Sequence, residues 1–138
     1  MARILAIDYG TKRCGIAVTD SLQIIATGLT TVATADLFRF IKEYTEKEQV
    51  EMVLVGYPKK LDNTPSTNAQ HVTGFVRKLA KEQPELKVEL LDERFTSSLA
   101  LRAMIDAGST KKQRQDKAMI DKISATILLQ NYLEGKKF

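Results

Sequence analysis

Residues Arg3 to Thr19 read RILAIDYGTKRCGIAVT, and this stretch decides the fold class. Arg3 to Asp8 is a short apolar run that ends in a carboxylate, the pattern of a buried strand. Tyr9 to Lys12 is a glycine-containing turn, and β-rich residues resume from Arg13 to Thr19. The two runs predict a hairpin. Ile24 to Val32 (IIATGLTTV) adds a third strand, weakened by Gly28, so the chain opens on an antiparallel meander.

Beyond the meander the period changes. Asp36 to Glu48 places Leu37, Phe38, Phe40, Ile41 and Tyr44 at helical spacing, with Thr34 the expected N-cap. Glu51 to Tyr57 (EMVLVGY) reads as a buried strand, and Pro58 to Pro65 as a polar surface loop. Ser66 to Gln83 returns to helical period, and Lys87 to Leu91 is a further strand running into Asp92, Glu93 and Arg94. A helix is expected from about Thr96 or Ser97 to Ala107, stopped by Gly108. Ser109 to Gln115 is a basic loop, and Asp116 to Leu133 a long closing helix. Strands that alternate with helices after a meander predict an α/β fold, a mixed sheet covered by helices.

The chain has 138 residues, which suits one domain over residues 1–138. Its 43% hydrophobic and 28% charged residues exclude a disordered chain or a fibre. No apolar run approaches the roughly 20 residues that span a bilayer, so no membrane partner is expected. The run Ile4 to Ile7 is too short for a signal-peptide core, and the single cysteine, Cys14, suits a reducing compartment. A cytoplasmic location is therefore expected.

The net charge of +4 is not spread evenly. Residues 1–110 carry 14 basic and 14 acidic side chains, whereas residues 111–138 carry seven basic and three acidic. Lys111, Lys112, Arg114 and Lys117 head this excess. Clustered Lys and Arg suit a phosphate-rich partner through counterion release, or form a solvated helix face with no partner.

Three acidic positions fall where an open α/β sheet places its chemistry, beyond strand ends. Asp8 ends the first strand, Asp92 and Glu93 end the last, and Asp121 lies early in the closing helix. Ala118 and Ala125 share the face of Asp121 and would let that helix approach the sheet. Each acid alone has a plain structural reading: a turn cap for Asp8, a helix cap for Asp92 or Glu93, a pair with Lys117 or Lys122 for Asp121. Converging, like charges repel, and a divalent cation relieves them. Oxygen ligands without His or Cys select Mg²⁺ or Mn²⁺. Such ions suit phosphodiester hydrolysis, and the basic segment tethered beside Asp121 suits nucleic acid.

The segments IDYGTKRCGIAVTD (7–20), VGYP (55–58), LDERFTS (91–97) and IDKISATILLQNYLEG (120–135) resemble the four signature blocks of the YqgF/RuvX family, in order and over essentially the whole chain. Its members are described as pre-16S rRNA nucleases and as Holliday-junction-resolvase-like. The resemblance implies an RNase H-like fold: a five-stranded mixed sheet, its first three strands antiparallel, with helices on both faces. It implies metal-dependent hydrolysis with Asp8, Glu93 and Asp121 as ligands. Strand neighbours point to opposite faces, so only one of Asp92 and Glu93 faces the metals; Glu93 is preferred, with Asp92 its substitute. The fourth acid of many RNase H-like nucleases has only Asp116 as a candidate here.

Lys12, Arg13 and Arg94 join the basic segment as candidate nucleic-acid contacts. Arg94 reads equally as a counter-ion of Asp92 or Glu93. Gly10 and Gly15 permit either a plain hairpin turn or close backbone approach to phosphate. His71 and Cys14 are expected to have no catalytic part. The leading function is a nuclease processing the 5′ end of pre-16S rRNA. Its alternatives are a resolvase of branched DNA, which needs a dimer, and a catalytically silent RNA-binding assembly factor. A monomer or weak homodimer is expected. An ATPase of the actin and sugar-kinase type, whose phosphate loop also begins D-x-G-T, needs two such domains where this length supplies one.

Overall fold

The computed structural model describes residues 2–57, 69–92 and 117–136. Five strands lie in one sheet: β1 (Arg3–Asp8), β2 (Arg13–Thr19), β3 (Ala26–Ala33), β4 (Val50–Tyr57) and β5 (Lys87–Asp92). Among the described residues three α-helices accompany them: α1 (Leu37–Lys47), α2 (Ala69–Glu82) and α3 (Lys117–Lys136). The sheet order is β3-β2-β1-β4-β5, with β1–β2 and β2–β3 antiparallel and β1–β4 and β4–β5 parallel. The meander and the later β–α alternation are both present. Among the described residues, no helix is long and apolar enough to cross a membrane.

The central position of β1 follows from its sequence. Ile4, Leu5, Ala6 and Ile7 are all fully buried, which requires cover on both faces. Leu5 and Ile7 join Ile16, Val18, Val53 and Val55 beneath α1 and α2, where Leu37, Ile41, Phe75 and Leu79 complete the cluster. Ile4 and Ala6 face the other way, onto Ala17, Met52, Leu54 and the α3 residues Ala125, Leu128, Leu129 and Leu133. Helices therefore cover both faces.

Where α3 crosses β2 and β3, the sheet presents glycines to it. A Cβ on Gly15 would overlap the backbone carbonyl of Asp121, so helix and strand meet there with no side chain between them. Gly28 makes a softer contact with the Thr126 hydroxyl and the Lys122 stem. Of the two alanines expected to admit the helix, Ala125 is fully buried, while Ala118 is exposed and its carbonyl accepts from Thr31 Oγ1 at 2.6 Å. Gly15 lies within β2, and its missing side chain admits α3.

Several boundaries differ from expectation. The third strand begins at Ala26 rather than Ile24, because Asp20 Oδ1 accepts the backbone N–H groups of Ile24 and Ile25 and draws both into the turn. Gln23 in that turn has φ 58°, and its amide donates to the Ala2 carbonyl at 2.9 Å and also to Glu51. Thr34 is not the N-cap. It opens a short 3-10 turn, Thr34–Asp36, and its hydroxyl donates to the Gly10 carbonyl at 2.6 Å. Thr34 thereby ties the β1–β2 turn to the start of α1. The expected helix near 96–107, the basic loop 109–115 and the loop 58–65 lie outside the described residues.

Candidate active site

Asp8 is the last residue of β1 and keeps the parity of Ile4 and Ala6, which puts it on the α3 face. In the β1–β2 pairing its partner is Gly15, the residue against which the backbone of Asp121 packs. One glycine therefore brings the carboxylate-bearing end of β1 and the second turn of α3 together. The position of α3 is fixed elsewhere too: Thr31 holds the Ala118 carbonyl, and the Tyr132 hydroxyl donates to Glu89 of β5 at 3.1 Å. Burial, followed by that bond to Glu89, raises the pKa of Tyr132 and keeps it the donor.

Asp121 has a partner outside its own helix. Its Oδ2 accepts from Nε of Arg13 at 2.8 Å, 108 residues away. Arg13 opens β2 with the parity of Gly15 and Ala17, hence on the α3 face. Lys12, one residue earlier, is exposed in the turn. The strand alternation from Arg13 through Gly15 to Ala17 was the available signal: a basic group followed by two small ones on one face marks where a helix crosses closely.

The remaining expected site residues divide by where they fall. Glu93, Arg94, Lys111, Lys112, Arg114 and Asp116 lie outside the described residues, and for Asp92 and Lys117 only the backbone is described. Asp92 closes β5 opposite Tyr57. Leu91, just before it, packs into the α3-face cluster. His71 is exposed on α2 and apart from the site.

The donor set on this face suits a hard divalent cation. Asp8 and Asp121 supply oxygen only. Cys14, the nearest soft donor, is buried on the opposite face; burial, the main cause, with smaller contributions from Asp8 and Asp121, raises its pKa, so it stays a neutral thiol. Among the described residues no three His, Cys, Asp or Glu side chains form a cluster.

Sheet order, helices on both faces and carboxylates at the end of β1 and in α3 define the class: an RNase H-like fold with an acidic site. A solved structure, "T. thermophilus RuvC in complex with Holliday junction substrate", shares the fold, with a TM-score of 0.59, 16% identity, and 99% of this chain and 96% of that one covered. The chain belongs to the RuvX family, whose model, described as "RuvX: Holliday junction resolvase", matches residues 2–135. A protein of Phocaeicola vulgatus named "Putative pre-16S rRNA nuclease" is 59% identical over 138 residues, covering 100% of this chain and 99% of its own length. One of the same name from Bacteroides thetaiotaomicron is 58% identical, with both chains covered in full.

Proposed function

We propose that this chain is a divalent-metal-dependent nuclease that hydrolyses phosphodiester bonds in RNA, with the 5′ end of pre-16S rRNA as its substrate. The observation that carries the chemistry is the register of Asp8 with Gly15, the residue against which the Asp121 backbone packs. The substrate follows the name carried by relatives 59% and 58% identical to it over their full length. A single nuclease domain over residues 1–138 and a cytoplasmic setting complete the proposal.

Asp8, Asp121 and Glu93 are the proposed ligands. Glu93 is preferred, with Asp92 as its substitute, on the resemblance of LDERFTS (91–97) to the family's signature block. Bound Mg²⁺ or Mn²⁺ supplies charge stabilisation to the phosphate and a water of lowered pKa. The carboxylates hold that charge in place, and Lys12, Arg94, Lys111, Lys112, Arg114 and Lys117 supply cationic contacts for the RNA backbone.

The test is cleavage of an end-labelled RNA copied from the 5′ precursor region of small-subunit rRNA, with Mn²⁺ or Mg²⁺ added. Asp8→Asn should lower the rate about a thousandfold, the scale of several kcal/mol of lost charge stabilisation, and leave RNA affinity near that of the wild type. The family description gives the second reading its footing, so a four-way DNA junction is the second substrate. Cleavage of the junction alone moves the assignment to a resolvase. No metal-dependent cleavage of either substrate leaves an RNA-binding factor.

A further inference from the structure

Arg13 and Asp121 form the one ion pair among the described residues that joins the sheet to α3. From it we infer that Arg13 is the resident counter-ion of Asp121: it holds the carboxylate while no cation is bound, yields it when a divalent cation enters, and then turns its guanidinium to the phosphodiester. The inference rests on Asp121 being a metal ligand. It adds an order of events, in which the phosphate contact becomes available only once the cation has arrived.

The geometry fits an exchange better than a permanent clamp. The Nε to Oδ2 distance is 2.8 Å, so the guanidinium occupies an oxygen that a cation at this site would need. Both side chains are partly open to solvent, 36% exposed for Arg13 and 26% for Asp121, so water weakens the pair and can take over either partner. The helix does not depend on the pair for its position. Gly15 against the Asp121 backbone, Thr31 on the Ala118 carbonyl and Tyr132 on Glu89 hold α3 without it.

Charge chemistry sets the direction of the exchange. A guanidinium spreads one positive charge over a plane of N–H donors. A divalent cation concentrates two charges at a shorter distance from the oxygen, and Asp8 shares the same face to receive it. Once displaced, Arg13 presents a planar fork of N–H donors that matches the non-bridging oxygens of a phosphodiester.

The experiment is calorimetric titration of Mn²⁺ into the full chain, stripped of metal by chelator and free of nucleic acid. Arg13→Gln should bind Mn²⁺ about five- to tenfold more tightly than the wild type, the scale of one partly exposed charged hydrogen bond. Lys12→Gln removes the same charge one residue away and should change the affinity by less than about twofold, since an exposed charge is largely screened. Asp121→Asn should weaken binding, and adding Arg13→Gln to it should recover nothing. Unchanged or weaker binding by Arg13→Gln, with Asp121→Asn still weakened, overturns the inference and spares the metal site. Unchanged binding by Asp121→Asn overturns the metal-ligand reading itself. An equal gain in Lys12→Gln and Arg13→Gln reduces the effect to net charge and also overturns the inference. Arg13→Lys, which keeps the charge and loses the fork, should bind Mn²⁺ near the wild-type affinity but lose the Mn²⁺-dependent gain in affinity for an RNA with cleavage-resistant linkages. Retention of that gain overturns the phosphate half of the proposal.

Discussion

The two faces of the sheet are packed by different means. Beneath α1 and α2 the contact is made by bulky side chains: Leu5, Ile7, Ile16, Val53 and Val55 from the strands meet Leu37, Ile41, Phe75 and Leu79 from the helices. Beneath α3 the strands offer Ile4, Met52 and Leu54 but also Ala6, Gly15, Ala17 and Gly28, and the helix answers with Ala125 and the leucines of its later turns. Bulky contacts hold helices at a distance set by their side chains, and the fold tolerates small adjustments there. A backbone-to-backbone contact leaves no such freedom. The face that carries Asp8 and Asp121 is the one on which a helix position is set by the absence of side chains, which suits a site whose charges must meet within a few ångströms.

The largest effect expected from this comparison comes from Gly15→Val. Valine is a better strand former than glycine, so local propensity favours the change. Its Cβ has no room against the Asp121 carbonyl, and the substitution should cost roughly 3 kcal/mol or more through overpacking. A thermal melt followed by circular dichroism, with Mn²⁺ titration of whatever folds, should show both stability and cation binding lost. A variant that melts like the wild type would refute the close contact.

On the opposite face Ile41→Ala should have a smaller and different effect. Ile41 is fully buried beneath α1, and its truncation should cost about 2–3 kcal/mol as transfer and cavity energy. Urea denaturation should register that loss, while Mn²⁺ affinity stays at the wild-type value because Asp8 and Asp121 lie on the other side of the sheet. A parallel loss of cation affinity would mean that the two faces are coupled through the sheet.

Ser124→Ala probes the α3 face at its gentlest. The Ser124 hydroxyl is buried and finds no hydrogen-bond partner among the described residues. Replacing it with a methyl group removes a desolvated polar atom and should leave stability unchanged or raise it by up to about 1 kcal/mol. The same urea experiment decides it, and a clear loss of stability would show that the hydroxyl is satisfied in solution.

Much of the fold was legible because apolar runs and turns are local signals. The run at Ile4 to Ile7 announced a buried strand, and Tyr9 to Lys12 a turn. The errors arose where one side chain was diverted by a distant group. Asp20 captured the N–H groups of Ile24 and Ile25 and shortened the third strand. Thr34 gave its hydroxyl to Gly10 rather than to a helix N-terminus. In the site, the positions of Asp8 and Asp121 could be anticipated from strand ends and helix faces. The counter-ion of Asp121 could not, since a helical carboxylate with basic neighbours at i−4 and i+1 gives no hint of a partner 108 residues earlier.

The sequence by itself determined the order of the elements, the buried character of β1, the oxygen-only chemistry of the acids and the basic excess near the end of the chain. These depend on residue type and on periods of two or 3.6, which are properties of a single segment. Tertiary structure alone decided that Gly15 is the seat of α3, that Arg13 holds Asp121, and that Asp8 stands in register with that glycine. Each of these is a contact between elements whose separation in space is set by packing, and no segment read alone contains the distance.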